Sequence, residues 1–360
     1  MVCQALNRHK AALLFLNGGL GNGLILGPVL RCVERRLPHL VYFSPPNEML
    51  ESDWVHDALE LTGPRAVLPP LWRRFLPADH DEIIAFAQSV GATLVINFRK
   101  EAAWQDSNYF AFCRLAKEHG IECWDLHELE GEELRLPIAQ QAARVLERHG
   151  IAAEIADQAW LDSAYRPRGG VVGISVGASV AVKRWSAARW SRVIGPLQDE
   201  GYRVEVAAGP DEAERSIARE LATEHGGRLG VRMLSTTTAL RNWIAGLEML
   251  ISNDTLAVHL AAALGCPVVA LYLATDGRIW SPVSAPGRLV ALQSPIGLNC
   301  SLMKVDGTCH RFYAECPAPC ASGVTPEDVL HGVARMIGGR PPQDWPAGSG
   351  AGAAAERGPA

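Results

Sequence analysis

Short apolar runs alternate with amphipathic segments along most of the chain, which is the pattern of strands alternating with helices. Because continuous apolar strands joined by helices favour a parallel sheet covered on both faces, the fold class is predicted to be α/β. The predicted strands are 11–16, 40–43, 93–98, 171–175, 203–209, 248–253 and 267–273. The predicted helices are 24–37, 81–90, 109–120, 138–149, 187–201, 211–226 and 254–265.

The opening theme of the chain occurs twice, which predicts two doubly wound domains that face one cleft. A strand, a turn of small residues and a helix begin at residue 11, and the same order begins again at residue 171. At roughly 150 residues per domain, a chain of 360 residues also fits two domains. We place them at 1–165 and 166–338, with YRPRGG (165–170) as the linker. Residues 339–360 are rich in Gly, Ala and Pro and are predicted to be a disordered tail.

Composition and charge narrow the class of protein. Hydrophobic residues make up 48% and charged residues 20%, as in a folded protein with a core. The net charge of −5 argues against a protein that coats nucleic acid through bulk charge, although it leaves room for a local basic site. No apolar run reaches the roughly 18 residues of a membrane span, and 11–16 is too short for a signal-peptide core. We therefore expect a cytoplasmic protein that neither spans a membrane nor binds nucleic acid.

The segment SNDTLAVHLAAALGCPVVALY (252–272) carries the strongest functional signal. A buried strand ends at Asn253, Asp254 is a good candidate N-cap, and Gly265 is expected to stop the helix. The first helical turn would then point its N–H groups beyond the end of the strand, where an anion such as a diphosphate can bind. His259 lies about one turn into the helix and could reach the same space. An ordinary capped strand–helix–strand unit without a ligand explains the same pattern.

Two further segments are compatible with a phosphate ligand. In SVGASVAVKRWSAARW (175–190), a turn of small residues would let backbone approach a ligand, and Lys183 and Arg184 place positive charge before the next helix. A solvated basic turn is the alternative. NGGLGNG (17–23) follows the first strand, but its spacing matches neither the dinucleotide fingerprint nor a P-loop.

Taken together, these segments resemble the heptosyltransferase family of glycosyltransferases. The matching stretches run in family order over roughly residues 11–335, and 252–272 is the specific part. The resemblance implies a GT-B fold of two Rossmann-like domains, the first binding the acceptor and the second a nucleotide-sugar. It also implies inverting transfer that requires no metal. The stretches are GGLGNGLILGPVL (18–30), ISVGASVAVKRWSAARW (174–190), AAGPDEAE (207–214), SNDTLAVHLAAALGCPVVALY (252–272) and TDGRIWSP (275–282).

The resemblance implies roles for individual residues. Lys183 matches a lysine that contacts the donor phosphates, Asp254 and the turn after it match the nucleotide-sugar site, and His259 matches a site histidine. Thr275 and Asp276 match a loop beside the donor. The complete set of predicted donor-binding residues is Gly21, Ser179, Lys183, Arg184, Asp254, Thr255, Leu256, His259, Thr275 and Asp276.

The chain departs from the family pattern at two positions. The opening loop of the family carries an aspartate that is regarded as the general base for the acceptor, and Asn22 stands there in this chain. A carboxamide cannot take up a proton at neutral pH. Val176 replaces the usual proline of the P-G-A-S turn. These departures suggest an unusual acceptor or a divergent branch, such as one that acts in natural-product biosynthesis.

Four of the nine cysteines fall within 21 residues: Cys300, Cys309, Cys316 and Cys320. In a reducing compartment such a cluster suggests metal binding before disulfides, and some autotransporter heptosyltransferases carry an iron-binding cysteine finger in this region. We predict one structural zinc or iron ion, with His310 as a spare ligand. Partly buried free thiols are the alternative.

The function predicted from the sequence is transfer of heptose or a related hexose from a nucleotide-sugar, ADP-linked as in the family, to a glycan or small-molecule acceptor. One alternative is a non-catalytic nucleotide-sugar-binding partner protein, which Asn22 favours. Another is a different GT-B enzyme of nucleotide-sugars, an epimerase or hydrolase, but no cluster of acids and bases supports it. The sequence does not identify the acceptor or the oligomeric state.

Overall fold

The computed structural model describes residues 9, 11–15, 20–37, 39–44, 65–67, 76–98, 107–153, 155, 159–161, 164–304, 307–309 and 316–337. The chain divides into two compact units, Met1–Ala156 and Asp157–Ala360. Residues 165–170 belong to the second unit, because the backbone N–H groups of Arg166 and Arg168 donate to the carbonyls of Ala245 and Gly246 at 2.8 and 3.0 Å. The tail 339–360 lies outside the described residues.

The first unit contains a five-stranded parallel sheet with the order β3-β2-β1-β4-β5. Its central strand β1 is buried along its whole length and pairs with a strand on each side, so that Leu13 faces Val41 and Val95. The strands are β1 Ala11–Phe15, β2 His39–Ser44, β3 Arg65–Val67, β4 Leu94–Asn97 and β5 Glu122–Asp125. The helices are α1 Leu20–Ile25, α2 Gly27–Glu34, α3 Pro77–Ser89, α4 Ser107–Glu118 and α5 Ile138–Arg148.

Side chains of β1 and the helices that follow β3 and β4 build the described core of this unit. Leu13, Ile83, Val95 and Phe112 are fully buried in one cluster. Gly120 adopts a φ of +73° just after α4, a conformation that L side chains rarely adopt. The helix therefore stops where the sequence predicts.

The second unit contains a six-stranded parallel sheet with the order β11-β10-β9-β6-β7-β8. The strands are β6 Val171–Ser175, β7 Arg203–Ala208, β8 Gly230–Met233, β9 Met249–Asn253, β10 Val268–Tyr272 and β11 Leu289–Gln293. The helices are α6 Ala187–Asp199, α7 Glu212–His225, α8 Thr237–Ala245, α9 Leu256–Leu264, α10 Gly277–Trp280, α11 Pro295–Leu298 and α12 Pro326–Met336.

The strand order of the second sheet creates a topological switch point. The chain runs outward from β6 to β8, then returns to the other side of β6 with β9 and continues outward to β11. The loops after β6 and β9 therefore diverge to opposite sides and leave a crevice at the carboxyl ends of these two strands. In open α/β sheets this is where ligands bind.

The α/β fold class predicted from the sequence is confirmed, since both sheets are parallel throughout. The predicted strands correspond to β1, β2, β4, β6, β7, β9 and β10. The four strands that the apolar pattern did not predict are β3, β5, β8 and β11. Within the described sheets, these four are the edge strands. No helix in the described parts of the chain is long and apolar enough to cross a membrane.

Candidate functional site

The switch point of the second sheet brings Lys183 and Asp254 together, although they are 71 positions apart in the sequence. Lys183 ends a short 3₁₀ turn after β6, and Asp254 follows the last residue of β9. The Lys183 Nζ donates to Asp254 Oδ2 at 2.7 Å. The side chains are 13% and 5% exposed, so that this ion pair is largely shielded from water.

Asp254 receives a second hydrogen bond from the loop after β10. The Thr275 hydroxyl donates to Asp254 Oδ2 at 2.6 Å. Burial by itself raises the pKa of the Asp254 carboxyl, but Lys183, His259 and the hydroxyl of Thr275 together hold that pKa below its ordinary value. Asp254 is therefore a carboxylate at neutral pH, and it fixes the position of the Lys183 ammonium.

The predicted N-cap at Asp254 is wrong, because Thr255 is the cap of α9. The Thr255 hydroxyl accepts from the backbone N–H of Ala257 at 3.3 Å, and the helix begins at Leu256. The capping residue must have extended backbone one position before the helix, and the Asp254 side chain turns instead to Lys183. The predicted stop at Gly265 is confirmed by its φ of +73°.

His259 lies one turn into α9 and is buried, with 6% of its surface exposed. Among the described residues its Nδ1 has no hydrogen-bond partner. Burial lowers the pKa of His259 to about 4. The negative charge of Asp254 raises this pKa, and the positive charge of Lys183 lowers it further. The imidazole is therefore neutral at pH 7, and a buried ring nitrogen without a partner is suited to receive a hydrogen bond from a ligand or to donate one.

We expect this histidine to make the protein sensitive to mild acid. In the unfolded chain it takes up a proton near pH 6.5, whereas in the folded chain it does so only near pH 4. Stability is therefore lost as the pH falls through this window, by about 2 kcal/mol between pH 7 and pH 5. Urea unfolding of the wild type and of His259→Gln at both pH values measures the difference. Equal pH dependence of the two proteins would contradict the buried neutral state.

The turn after β6 is fastened to the end of β9. The Asn253 side-chain amide donates to the carbonyls of Val176 and Gly177 at 3.0 and 3.2 Å. A Cβ on Gly177 would lie 2.5 Å from Glu214 Oε1, so a larger residue at 177 would displace that carboxylate. Glu214 also accepts from the backbone N–H of Gly209 at 2.8 Å. Sequence reasoning did not single out Glu214, since its closeness to this turn depends on the packing of α7.

Arg184 and Ser179 do not join the pair of Lys183 and Asp254. The Arg184 Nε donates to the carbonyl of Ala178 at 2.8 Å, and its Nη2 lies 3.5 Å from Asp211. Arg184 thus holds the turn on which the exposed Ser179 lies. Their predicted contact with a ligand stays a prediction.

The loop after β10 is organised by Gln293, a buried residue that sequence reasoning missed. Its side-chain oxygen accepts from the N–H of Gly277 at 2.7 Å, and its amide donates to the carbonyl of Thr275 at 3.1 Å. Asp276 caps α10 and pairs with Arg278 at 2.6 Å, so its carboxylate is engaged within its own loop. Of the two predicted loop residues, Thr275 contacts Asp254 directly.

Three of the four clustered cysteines pack near the lysine turn. Cys309, Cys316 and the buried Cys320 form one apolar cluster with Val182 and its neighbours, and Cys300 is outside that described cluster. Burial and then the nearby Cys309 and Cys316 raise the pKa of the Cys320 thiol. Over the residues that the structure describes, no group of three or more His, Cys, Asp or Glu is arranged to hold a metal ion. His310 lies outside the described residues.

Asn22 and Gly21 belong to the first unit, at the corresponding switch point between β1 and β4. The sequence predicts a glycine-rich turn over 17–23, but the structure begins helix α1 at Leu20. Both residues therefore have helical backbone, and the side chain of Asn22 lies outside what the structure describes. Gly21 and Asn22 are small and not apolar, so this segment lacks the periodic apolar pattern by which a helix is predicted.

The comparison with known families decides the classification. A model of glycosyltransferase family 9 (heptosyltransferase) matches residues 85–299, more than half of the chain. The chain belongs to this family. Within this glycosyltransferase family 9 match lie the lysine turn, the Asp254 segment and the loop around Thr275.

Curated relatives of this family 9 chain cover a smaller part of it. It is 31% identical over 110 residues to lipopolysaccharide heptosyltransferase 3 of Escherichia coli, which is 28% of this chain and 31% of the relative. It is 32% identical over 128 residues to lipopolysaccharide heptosyltransferase 2 of Escherichia coli K12, 34% of this chain and 36% of the relative. The matched segment spans about a third of the length of these relatives.

Solved structures support the fold over a longer stretch of this family 9 chain. A family 9 glycosyltransferase from Veillonella parvula covers 91% of this chain and 97% of its own, at 16% identity and a TM-score of 0.63. Heptosyltransferase WaaC of E. coli with ADP covers 91% and 99%, at 15% identity and a TM-score of 0.60. The iron-containing dodecameric glycosyltransferase TibC of E. coli covers 91% and 76%, at 15% identity and a TM-score of 0.57. At these identities the likeness establishes the fold.

Proposed function

We propose that this chain is an inverting glycosyltransferase that moves a sugar, heptose or a related hexose, from an ADP-linked donor to an acceptor hydroxyl. The observation that carries the proposal is the buried pair of Lys183 and Asp254 at the switch point of the second sheet, beside the start of α9. A cation held at that place, next to helical N–H groups, suits the diphosphate of a nucleotide-sugar.

Asp254 prepares Lys183 for an anionic ligand rather than binding the anion itself. An ammonium group has three N–H donors, so that it can hold Asp254 at 2.7 Å and a phosphate oxygen at the same time. The Thr275 hydroxyl, in the loop after β10, donates to the same carboxylate oxygen and helps to hold Asp254 in place. The charge of Lys183 is thus positioned before the ligand arrives, which lowers the cost of binding.

The same arrangement supports the chemistry of transfer. The acceptor oxygen forms a bond to the anomeric carbon while the bond from that carbon to the phosphate oxygen breaks, and the nucleoside diphosphate leaves with the additional negative charge. A fixed ammonium near that oxygen stabilises the charge as it develops. Inversion follows because attack and departure take place on opposite faces of the sugar. The proton of the acceptor must go to a base, and Asn22 cannot take it.

Two other groups are suited to the rest of the donor. The neutral His259 offers a buried ring nitrogen without a partner in the described part of the chain, which is suited to a polar group of the ligand. Glu214 places a half-buried carboxylate over Gly177, and an acid beyond the strand ends is the usual partner of ribose hydroxyls in Rossmann-like sites. We assign Glu214 to the ribose on this basis.

Thermal-shift measurements with ADP, GDP, UDP and dTDP test the donor assignment. We expect ADP to raise the melting temperature most, because the curated relatives are heptosyltransferases and the structure of WaaC contains ADP. At 100 times its dissociation constant a ligand stabilises the folded state by about 2.7 kcal/mol. No change in melting temperature with any of the four nucleotides would contradict the proposed nucleotide-sugar site.

Turnover separates the enzyme from a binding protein. A shift with ADP combined with no transfer to any acceptor and no loss of donor would favour the non-catalytic alternative, for which Asn22 is the argument from sequence. Formation of a product whose anomeric configuration is opposite to that of the donor supports inverting transfer.

A structural zinc or iron ion at the four cysteines stays a prediction from the sequence. The described thiols of Cys309, Cys316 and Cys320 pack together, but they do not make a metal-binding group with Cys300. No step of the proposed transfer depends on a metal. If the four thiolates form a closed site, elemental analysis of protein purified without an affinity tag should find about one ion per chain. A metal-free preparation with full activity would contradict that prediction.

A further inference from the structure

A second basic site lies on the same unit, near the amino end of β6, whereas Lys183 follows the carboxyl end of that strand. It is an open cavity of about 600 Å³ that we call the arginine pocket. Its lining contains three arginines and no acidic residue: Ala164, Arg166, Arg168, Arg232, Leu234, Asn242, Trp243, Ala245 and Gly246. Arg166 and Arg168 precede β6 and Gly246 precedes β9, whereas Lys183 and Asp254 follow those strands. The pocket is therefore separate from the proposed donor site.

A buried carboxylate holds two of the three arginines, Arg232 and Arg168. Glu205 is 3% exposed and accepts two hydrogen bonds from Arg232, at 2.9 and 3.2 Å, and one from the Trp243 indole at 2.9 Å. The Arg168 Nη2 lies 3.7 Å from the same carboxylate. Arg232 above all, then the Trp243 indole and more weakly Arg168, hold the pKa of Glu205 below its ordinary value, although burial alone would raise that pKa. Glu205 therefore stays charged and orients these guanidinium groups.

Backbone carbonyls accept hydrogen bonds from the guanidinium groups of Arg168 and Arg166. The Arg168 Nε donates to the carbonyl of Gly246 at 3.1 Å, and a Cβ on Gly246 would lie 2.9 Å from that nitrogen. The Arg166 Nη1 donates to the carbonyl of Tyr165 at 2.7 Å. In the described part of the chain, Arg166 has no acidic partner. Both side chains remain exposed on their outer faces.

The charges of the pocket do not cancel. Three guanidinium groups line it, and Glu205 beneath them neutralises one, which leaves about two positive charges facing the cavity. A carboxylate ligand carries one negative charge, whereas a phosphomonoester carries between one and a half and two at pH 7. Guanidinium groups also match the oxygen geometry of phosphate through paired N–H donors. We propose that the arginine pocket binds a phosphoryl group.

The phosphoryl group has two possible sources that share this chemistry, a soluble phosphorylated molecule and a phosphorylated lipid headgroup. Pyrophosphate and vesicles of phosphatidylcholine with phosphatidic acid are the respective probes. Since pyrophosphate would also occupy the proposed donor site, the titration is made in the Lys183→Ala protein as well as in the wild type. Persistent binding in Lys183→Ala separates the arginine pocket from the donor site, so that either proposal can fail alone.

Arg166→Ala is the decisive variant, because the Arg166 side chain is exposed and, among the described residues, its guanidinium hydrogen-bonds only the carbonyl of Tyr165. The backbone hydrogen bond from Arg166 to Ala245 is kept in this variant. We expect it to weaken pyrophosphate binding in the Lys183→Ala background about tenfold, as the loss of a charged hydrogen bond implies. Arg166→Lys should recover part of the affinity. Arg219→Ala, which removes another exposed arginine, one that lies on α7 and pairs with Glu212, is the charge control and should bind like its parent.

The outcomes divide as follows. Arg166-dependent binding of pyrophosphate supports a soluble source, and Arg166-dependent sedimentation with the phosphatidic acid vesicles but not with plain phosphatidylcholine supports a lipid headgroup. Equal losses in Arg166→Ala and Arg219→Ala mean attraction by general charge and overturn the pocket. Absence of pyrophosphate and vesicle binding in a Lys183→Ala protein that circular dichroism shows to be folded overturns it as well. Acetate, which carries a single charge, should compete poorly with pyrophosphate.

Discussion

Lys183→Ala should raise the dissociation constant of the nucleotide-sugar donor about tenfold or more, with a matching loss of turnover at low donor concentration. The reason is the loss of a charged hydrogen bond to the diphosphate, worth roughly 1.5–3 kcal/mol. The variant also leaves Asp254 charged and buried at 5% exposure without its cation, so that the negative charge now opposes the ligand. Calorimetric titration with ADP and with the intact donor measures the effect.

The same substitution should destabilise the fold, by about 3 kcal/mol, because a buried carboxylate loses its partner. A second variant separates stability from binding. In Lys183→Ala/Asp254→Asn the buried charge is gone, so the free energy of unfolding should recover while donor affinity stays weak. If the double variant restores donor affinity, Lys183 acts only by neutralising Asp254, and its role on the diphosphate is wrong. Arg219→Ala serves as the control for a general loss of positive charge.

Asn22→Asp should raise turnover with a simple sugar-hydroxyl acceptor, by up to about 10²-fold. A positioned general base contributes about 10²–10⁴-fold, and an amide at this position cannot supply it. Asn22→Ala should lower the rate only modestly. This variant removes the hydrogen bonds between the amide and the acceptor, but it removes no base, because an amide does not accept the proton. Donor affinity should be unchanged in both variants, because Lys183 and Asp254 lie in the other unit. Initial rates and the Michaelis constant of the acceptor measure the two effects.

If the native acceptor itself needs a base, an acid elsewhere in the first unit must supply it. The sequence offers Asp53, Glu101 and Asp106, all three of which lie outside the described residues. Replacement of the true base by its amide should cost more than Asn22→Ala does. Should both Asn22 variants leave the rate and the acceptor's Michaelis constant unchanged, residue 22 has no part in the active site.

The pattern of apolar runs predicted the interior strands of both sheets and missed the edges. β1 and β6 are buried along their length between two neighbours, so their sequences are continuously apolar and visible. β8, by contrast, has one neighbour and two exposed residues, and its GVRM sequence carries an arginine. An edge strand needs no apolar side chain on its open face, and β8 therefore leaves no such run. This reason does not apply to the edge strand β11, whose sequence LVALQ is a short apolar run that the sequence analysis missed.

The sequence predicted some residues of the candidate site and missed others. Lys183 and Asp254 were both named from motifs, but each pattern alone fits an unremarkable turn or helix start. Local preference assigned the helix cap to Asp254. In the structure the helix begins at Leu256, so Thr255 is the cap, and the Asp254 carboxylate pairs with Lys183 instead. Gln293 carried no signal at all, since its importance comes from bonds to Gly277 and Thr275 across the fold.

The sequence by itself determined the alternation of helices and strands, the parallel class of the sheets, the stop at Gly265 and the basic stretch at Lys183 and Arg184. These are local properties, because periodicity, propensity and glycine's freedom at positive φ act over a few residues. The tertiary structure alone decided that the turn after β6 meets the end of β9 and that Glu205 pairs with Arg232 and Arg168. Such contacts depend on strand order, and strand order is fixed only when the whole apolar core of the unit packs at once.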